Sequence, residues 1–468
     1  MPSPSSPATA RVAGWTRRLR SDSDLRLVLL LTLAGAALRF ATLDVQSFDH
    51  DEAVTAGHVL HGSLIETLKT IPDSERTPPL YYVLSWGWTR VFGVGEVGLR
   101  SLSMLFGTAM IPVAALVARR FGVGRVAVIA AALVAFNPFL VYYSQEGRAY
   151  ALLGLLALLS AGAFVRCWRE PTPRNLGVWA LTAILAIATH YFAAFVVGTE
   201  AVLLLARHTR PRVLVATGIV AIASIPLAIL ALHQFGLHST EEPSQQFTMR
   251  GLETVPVQFA LGERLGVRGI YQLTPLIALA FLAGFAILAW RAWTDSALGA
   301  RLAVALAAGA GIPPVVAAAA GLPILAARNL TPALVMLLLA LAVELAALAH
   351  RRAWRIGIGL IAGIGLAWSL AATTVVSGLQ RPDWRGTAER LGPPPSGGRL
   401  LVVPSDASEP LLYYLPDTEP VAAAPPAVDA AFLVAGVDDV QRIPPTGVSS
   451  AQESLGEDAE ILFERATG

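Results

Sequence analysis

One cysteine, Cys167, is all that a chain of 468 residues contains. That excludes an internal disulfide framework and any cysteine-based metal site. Charge is also scarce: Asp, Glu, Lys and Arg together make up 15% of the residues, and the net charge is only +2. So small a surplus gives no reason to expect nucleic acid as a partner. The chain has no P-loop, no GxSxG elbow, no dinucleotide fingerprint and no H-E-x-x-H pair, so a cytoplasmic nucleotide-driven enzyme has nothing to stand on. What the chain has instead is apolar: 54% of residues are hydrophobic and the mean hydropathy is +0.58, well outside the range of a soluble globular protein of this length. A hydrocarbon core about 30 Å thick needs roughly 20 mostly apolar residues per spanning helix, and runs near that length recur from Leu25 to Val376. They read as helices, because the strands of a membrane barrel would alternate apolar and polar residues. The expected fold class is therefore an all-α polytopic membrane protein.

Residues 1–24 are rich in Pro, Ser and Ala and then basic, with Arg11, Arg17, Arg18 and Arg20. No small-residue cleavage site follows the first apolar run, so they are expected to be a disordered cytoplasmic tail before a retained helix. The Ala- and Arg-rich usage points to a bacterium with GC-rich DNA, and hence to its cytoplasmic membrane. Basic residues collect at 119–125, 166–174, 207–212, 290–301 and 350–355. Placing these loops and the N-terminus on the cytoplasmic side predicts eleven spanning helices near 25–43, 100–118, 125–142, 149–166, 176–190, 193–206, 212–232, 272–290, 300–319, 330–349 and 355–377, with the C-terminus outside. The run 79–92 is left out: it is short for a span, starts at Pro78–Pro79 and stops at Gly93 and Gly95. It is expected to be a juxtamembrane or re-entrant helix, the alternative being a twelfth span. The outer side then receives the loop 44–99, the segment 142–150, the segment 233–271 and everything after 377. That last stretch loses its long apolar runs. "GRLLVVPS" and "AAFLVAG" read as strands and "DASEPLLYYL" as a helix opened by an Asp, giving a small extracytoplasmic α/β subdomain at 378–468 after a membrane domain at 25–377.

The polar groups gather on that outer side. In "SFDHDEAVTAGHVL" (47–60), Asp49 with Glu52 three residues on reads as a capping box. Asp51 is surplus to capping and lies at the membrane surface, where an ionisable group is costly and usually functional. In "YYSQEGRAY" (142–150), Arg148 is either an interfacial residue paired with Glu146 or a fork of donors for phosphate oxygens. Arg39 and Arg328, at the outer ends of two predicted helices, each read most simply as interfacial anchors. His190 and Tyr191 sit in a tight outer turn, where a lone histidine is structural or touches substrate. His50, His58 and His61 leave divalent-metal binding open but unsupported by spacing.

Several motifs, taken in order, resemble the GT-C membrane glycosyltransferases: an Arg ending the first helix, "DEAVTAGHVL", "TPPLYYVLSWGWTRVFG", "GLRSLSMLFGTAMIPVAALVARRFG", "NPFLVYYSQEGRAYAL", "THYFA" and "RNLTPALVMLLLALA". The likeness is to family-39-like enzymes related to protein O-mannosyltransferases and aminoarabinose transferases. It spans most of residues 25–350, and "RPDWRGTAERL" resembles that family's entrance to its outer domain. The resemblance implies sugar transfer from a polyprenyl-phosphate donor to a glycan, lipid or protein acceptor on the outer face. It implies Asp51 as base with Glu52 beside it. Arg148, with Arg328 or Arg39, would hold the phosphate, and His190, Tyr191, Tyr143, Gln145 and Tyr81 would contact substrate. The family commonly has His before "PPLYY"; here the residue is Thr77. A polytopic flippase or transporter, or a non-catalytic scaffold, is the competing reading.

Overall fold

A computed structural model describes residues 23–237, 247–294, 298–348, 352–396, 398–421, 428, 430–436, 439–456 and 459–464. All but residues 23 and 24 of the expected N-terminal tail lie outside this set. Each of the eleven predicted apolar runs is helical: α1 Ser23–Ala41, α5 Glu96–Phe121, α6 Val126–Phe136 with α7 Pro138–Ser144, α8 Tyr150–Arg169, α9 Pro173–Thr189, α10 Ala193–Arg207, α11 Pro211–Leu237, α13 Arg268–Thr294, α14 Leu298–Ala319, α15 Thr331–Leu348 and α16 Arg352–Thr374. Among the described residues seven of these (α5, α8, α11, α13, α14, α15 and α16) are long and apolar enough to cross a membrane, and the pair α6–α7, bent by 61°, makes an eighth if it is one span. The count is below eleven because α9 and α10 have only 17 and 15 residues, which at 1.5 Å per residue fall short of a hydrocarbon core, and because α1 carries three charged residues, Asp24, Arg26 and Arg39, in its 19. The bend has a local cause. Pro138 cannot continue the helix through its missing N–H, and the Asn137 side chain accepts from the Leu140 N–H at 3.0 Å, starting a new helix at the break.

Helices α8 and α15 are the most enclosed. Close approach of α5 and α8 depends on small residues: a Cβ on Gly162 would stand 2.8 Å from the Val117 side chain. Charged groups inside the bundle find partners nearby, although Glu200 Oε1 has none. Glu200 accepts from Ser160 at 2.6 Å and Trp179 at 2.8 Å, and Glu344 pairs with Arg291 at 3.1 Å. At the basic end arginines bind helix carbonyls, Arg120 that of Gly162 and Arg169 that of Arg120, both at 2.6 Å.

The opposite end carries α2 His50–Val54, a π turn Thr55–Val59, α3 Leu64–Ser74, α4 Leu80–Phe92, α12 Met249–Leu261 and the C-terminal subdomain. At 13 residues α4 is too short to span. The subdomain has strands β1 Arg399–Pro404, β2 Thr418–Pro420, β3 Ala430–Gly436, β4 Asp439–Ile443 and β5 Ala459–Glu464, with helices α17 Trp384–Leu391, α18 Ser405–Tyr414 and α19 Val448–Leu455. The sheet order is β2-β5-β1-β3-β4, with β1 and β3 parallel and the other neighbours antiparallel. Alternation along β1 buries both faces: Leu401 and Val403 pack with α17 and α18, and Leu400 and Val402 pack with α19. The expected Asp cap is corrected: α18 begins at Ser405 behind Pro404, with no side-chain cap.

The subdomain is bolted to the first outer loop. Ser47 donates to the Pro382 carbonyl at 2.7 Å and accepts from the Trp384 N–H at 3.0 Å. The Phe48 N–H donates to the Tyr414 hydroxyl at 2.7 Å, and the Phe48 ring lies edge-on to Tyr413 at 4.9 Å. Arg385 pairs with Glu96 at 2.9 Å.

Candidate active site

Helix α2, the start of α8, the turn after α9, the 3-10 turn Ala327–Leu330 and α18 enclose a cavity of about 560 Å³. Asp51, Arg148, His190, Tyr191 and Arg328 all line it. These residues are up to 277 positions apart (51 to 328) and meet only in the fold.

Asp51 is aimed by its neighbours in sequence. Asp49 and Glu52 form the expected capping box that starts α2, and Glu52 then faces the opposite way from the cavity. It is fully buried, accepting from Arg100 Nε at 2.7 Å, Arg100 Nη2 at 2.6 Å and the Gly147 N–H at 2.8 Å, with Arg381 at 3.6 Å. Burial pushes the Glu52 carboxyl up, but Arg100 and Arg381 outweigh it and hold it below its ordinary value. Arg100 in turn donates to the carbonyls of Leu43, Gln46 and Ser47. The loop, α5 and the turn before α8 are thereby fixed to one carboxylate, and α2 presents Asp51 to the cavity.

The Asp51 carboxylate stands 3.6 Å from Arg328. Burial raises its pKa, yet Arg148, Arg328, His50 and Arg76 pull harder and bring it to about 2. Arg148 does not pair with Glu146. Its Nη1 and Nη2 reach the two oxygens of Glu75 at 2.9 and 2.8 Å, and Nη1 also donates to Thr55 at 2.9 Å. Glu146 instead lies 3.6 Å from Arg381, and burial with Glu52 and Asp51 nearby lifts it to about 8 despite that arginine. His190 is 2% exposed. Its Nδ1 accepts from the Phe192 N–H at 3.3 Å, and Nε2 has no partner, which assigns the proton to Nε2. Burial, then Arg148 and Arg328, push its pKa down to about 3. His190 is therefore a neutral imidazole in the cavity wall, with its Nε2–H buried.

Five expected site residues lie behind the cavity. Glu52 is enclosed as described. Arg39 is fully buried and donates to Ser144 at 3.0 Å and to the carbonyls of Ala135 and Val134 at 2.8 and 3.2 Å. The break after α6 strands these carbonyls, and satisfying them leaves Arg39 no reach to a phosphate. Gln145 donates to the Arg39 carbonyl at 2.9 Å and to Thr42. Tyr81 shares a hydrogen bond with Ser103 at 2.8 Å. Tyr143 is buried in an aromatic cluster, tilted against Phe139 and edge-on to Tyr142 and Tyr150. The sequence reading missed Glu75 and Arg76, which line the cavity. Two adjacent charges ahead of "TPPLYY" were their only signal. Thr77, where the resemblance expects His, also lines it and hydrogen-bonds Tyr82 at 2.8 Å. As to metal, His58 pairs with Glu409 at 2.8 Å and His61 with Thr70 at 2.9 Å. Among the described residues no three His, Cys, Asp or Glu side chains converge to hold an ion.

The family described as dolichyl-phosphate-mannose-protein mannosyltransferase matches residues 76–234, a segment that includes Arg148 and His190 but not Asp51 or Arg328. The crystal structure of ArnT from Cupriavidus metallidurans in the apo state aligns over 94% of this chain and 98% of its own, at 11% identity and a TM-score of 0.57. The chain has the GT-C fold. Two other structures overlap in part: the Saccharomyces cerevisiae protein O-mannosyltransferase Pmt1-Pmt2 complex bound to the sugar donor (16% identity, 50% of this chain, TM-score 0.36) and the Archaeoglobus fulgidus oligosaccharyltransferase (17%, 80%, 0.47). The chain spans only 36% and 58% of the lengths of those two. No curated protein matches it. In this GT-C chain, as a multi-pass membrane protein, the cavity lies at the end of the bundle where the sheet subdomain sits. The Asp51 carboxylate and the guanidinium groups can there accept a proton and hold an anion.

Proposed function

We propose that this chain transfers a sugar from a polyprenyl-phosphate donor to an acceptor hydroxyl on the extracytoplasmic face of a bacterial cytoplasmic membrane. The observation that carries the reading is the pairing of Asp51 with Arg328 across a polar cavity at the end of an apolar bundle. Arg328 and Arg76 hold the lipid phosphate, and Arg148, whose Nη1 and Nη2 are taken by Glu75 and Thr55, adds positive charge beside it. The acceptor oxygen attacks the anomeric carbon from the face opposite the phosphate, giving inversion. The C–O bond to phosphate breaks, its electron pair leaves with the polyprenyl phosphate, and the acceptor proton passes to Asp51. A phosphate leaving group needs charge stabilisation more than protonation, so guanidinium groups take the place of a glycosidase's general acid.

A carboxylate held at about 2 is a weak base. Donor binding corrects this, because the phosphate neutralises the same arginines that depress Asp51 and its proton affinity rises as the site fills. His190 donates from Nε2 to a donor oxygen, and Glu52 positions rather than reacts. Full-length protein in reconstituted membranes, given a panel of radiolabelled polyprenyl-phosphate sugars, tests the reading. Transfer by wild type that falls about a hundred- to ten-thousand-fold in well-folded Asp51→Asn supports it. Equal transfer by both removes Asp51 as base, and no transfer from any donor returns weight to a flippase or scaffold.

A further inference from the structure

The cavity has two unlike walls. The membrane domain supplies Arg76, Arg148 and Arg328 together with Asp51 and Glu75, which pair with Arg328 and Arg148; the subdomain supplies Ser405, Ser408, Glu409 and Glu460 and, among the described residues, no cation. Glu409 Oε2 lies 2.8 Å from His58 Nε2 but takes no hydrogen bond, and α18, which carries it, packs against α2, which carries Asp51. The cavity is also built for an occupant: His190 Nε2 and His50 Nδ1 are both buried without a partner, a state that costs free energy until a ligand or water meets them.

Resting on the transferase reading, we propose that Glu409 and Glu460, with Ser405 and Ser408, form the acceptor half of the cavity, and that the acceptor is an uncharged glycan presenting neighbouring hydroxyls. Carboxylates accept from hydroxyl donors in charge-assisted hydrogen bonds, and sugar hydroxyls supply such donors in pairs. A phosphorylated acceptor would be repelled by this wall and drawn to the arginines, where it would compete with the donor. A polypeptide would bring one backbone carbonyl for each N–H, and a wall of two carboxylates leaves those carbonyls unmatched.

The test uses the full chain in lipid nanodiscs with three probes: maltotriose, a threonine-rich octapeptide and phosphatidylglycerol. Binding without donor is followed by saturation-transfer NMR, and the acceptor KM is followed with an active donor. Maltotriose should bind wild type, and Glu460→Gln and Glu409→Gln should each weaken it about tenfold, with the acceptor KM rising in parallel and by more than the donor KM. Because Glu409→Gln also breaks the contact to His58, His58→Ala serves as its partner. Weakening in Glu409→Gln that His58→Ala reproduces in full, with Glu460→Gln unaffected, would assign the effect to a loosened α18 and overturn the subsite. So would absence of maltotriose binding by a wild type that turns over donor, or tighter binding of the octapeptide. Maltotriose binding without any donor turnover would instead overturn the transferase reading and leave the polyol subsite standing.

Discussion

Replacing Glu52 with Gln tests the claim that this residue positions the site from behind. Glu52 takes two short bonds from Arg100 and one from Gly147, with side-chain exposure of 0% for Glu52 and 1% for Arg100. Gln keeps the volume but offers one oxygen where Glu has two, turns an N–H₂ toward a guanidinium, and leaves Arg100 and Arg381 buried with one anion fewer. Breaking a buried pair by removing one partner costs about 3–5 kcal/mol. Scaled from the 2–4 °C per kcal/mol of a chain of 150–250 residues to one about twice as long, this is a fall in Tm of roughly 3–10 °C. Thermal unfolding in detergent micelles measures it, and Arg100→Met completes the cycle. Since replacing both ions by apolar groups is often nearly neutral, the double variant should lose less than the sum of the singles. A Tm within 1 °C or so of wild type for Glu52→Gln, or strict additivity in the cycle, would refute the argument. Sugar transfer at a temperature where the variant is folded should fall with kcat, through misplacement of Asp51, while the pH dependence of kcat keeps its shape.

Other consequences are equally concrete. Arg328→Gln removes the guanidinium that faces Asp51 and that we propose as a phosphate partner, so the donor KM should rise about tenfold or more; steady-state kinetics with an unchanged donor KM would detach Arg328 from the phosphate. For His190 the folded pKa of about 3 lies below the ordinary 6.5, so between these values the unfolded chain binds the extra proton and the folded chain does not. Its contribution to stability is complete above about 6.5 and is lost as pH falls toward 3. The Tm difference between wild type and His190→Gln should therefore shrink from pH 7 to pH 4.5, and a pH-independent difference would contradict the neutral imidazole. Gly299→Ala should abolish folding or lower Tm steeply, because its Cβ would stand 1.7 Å from the Phe121 backbone carbonyl oxygen, and backbone at a helix end cannot step aside as a side chain can. Size-exclusion chromatography of the detergent-solubilised variant reads this, and a monodisperse peak with native Tm would refute it.

The sequence by itself determined which segments are helical in the membrane domain, because a run of about 20 apolar residues is local information and lipid leaves the backbone no other way to satisfy itself. It also determined the start of α2, since Asp49 and Glu52 cap their own helix, and it singled out Asp51 as the carboxylate that capping does not use. Only the tertiary structure separated Arg328 from Arg39. Both are arginines at a predicted interface, but Arg328 turns toward Asp51, whereas Arg39 is consumed by carbonyls stranded where α6 breaks. The same holds for Glu75 and Arg148, 73 positions apart, and for Glu409, brought over the cavity by a subdomain that begins more than 300 residues after Asp51. Helical periodicity repeats within a few residues and capping acts within one turn, so both can be read along the chain. Ion pairs and cavity walls join residues whose separation obeys no period, and the packing of α2, α8 and α18 against one another decides which of the charged side chains meet.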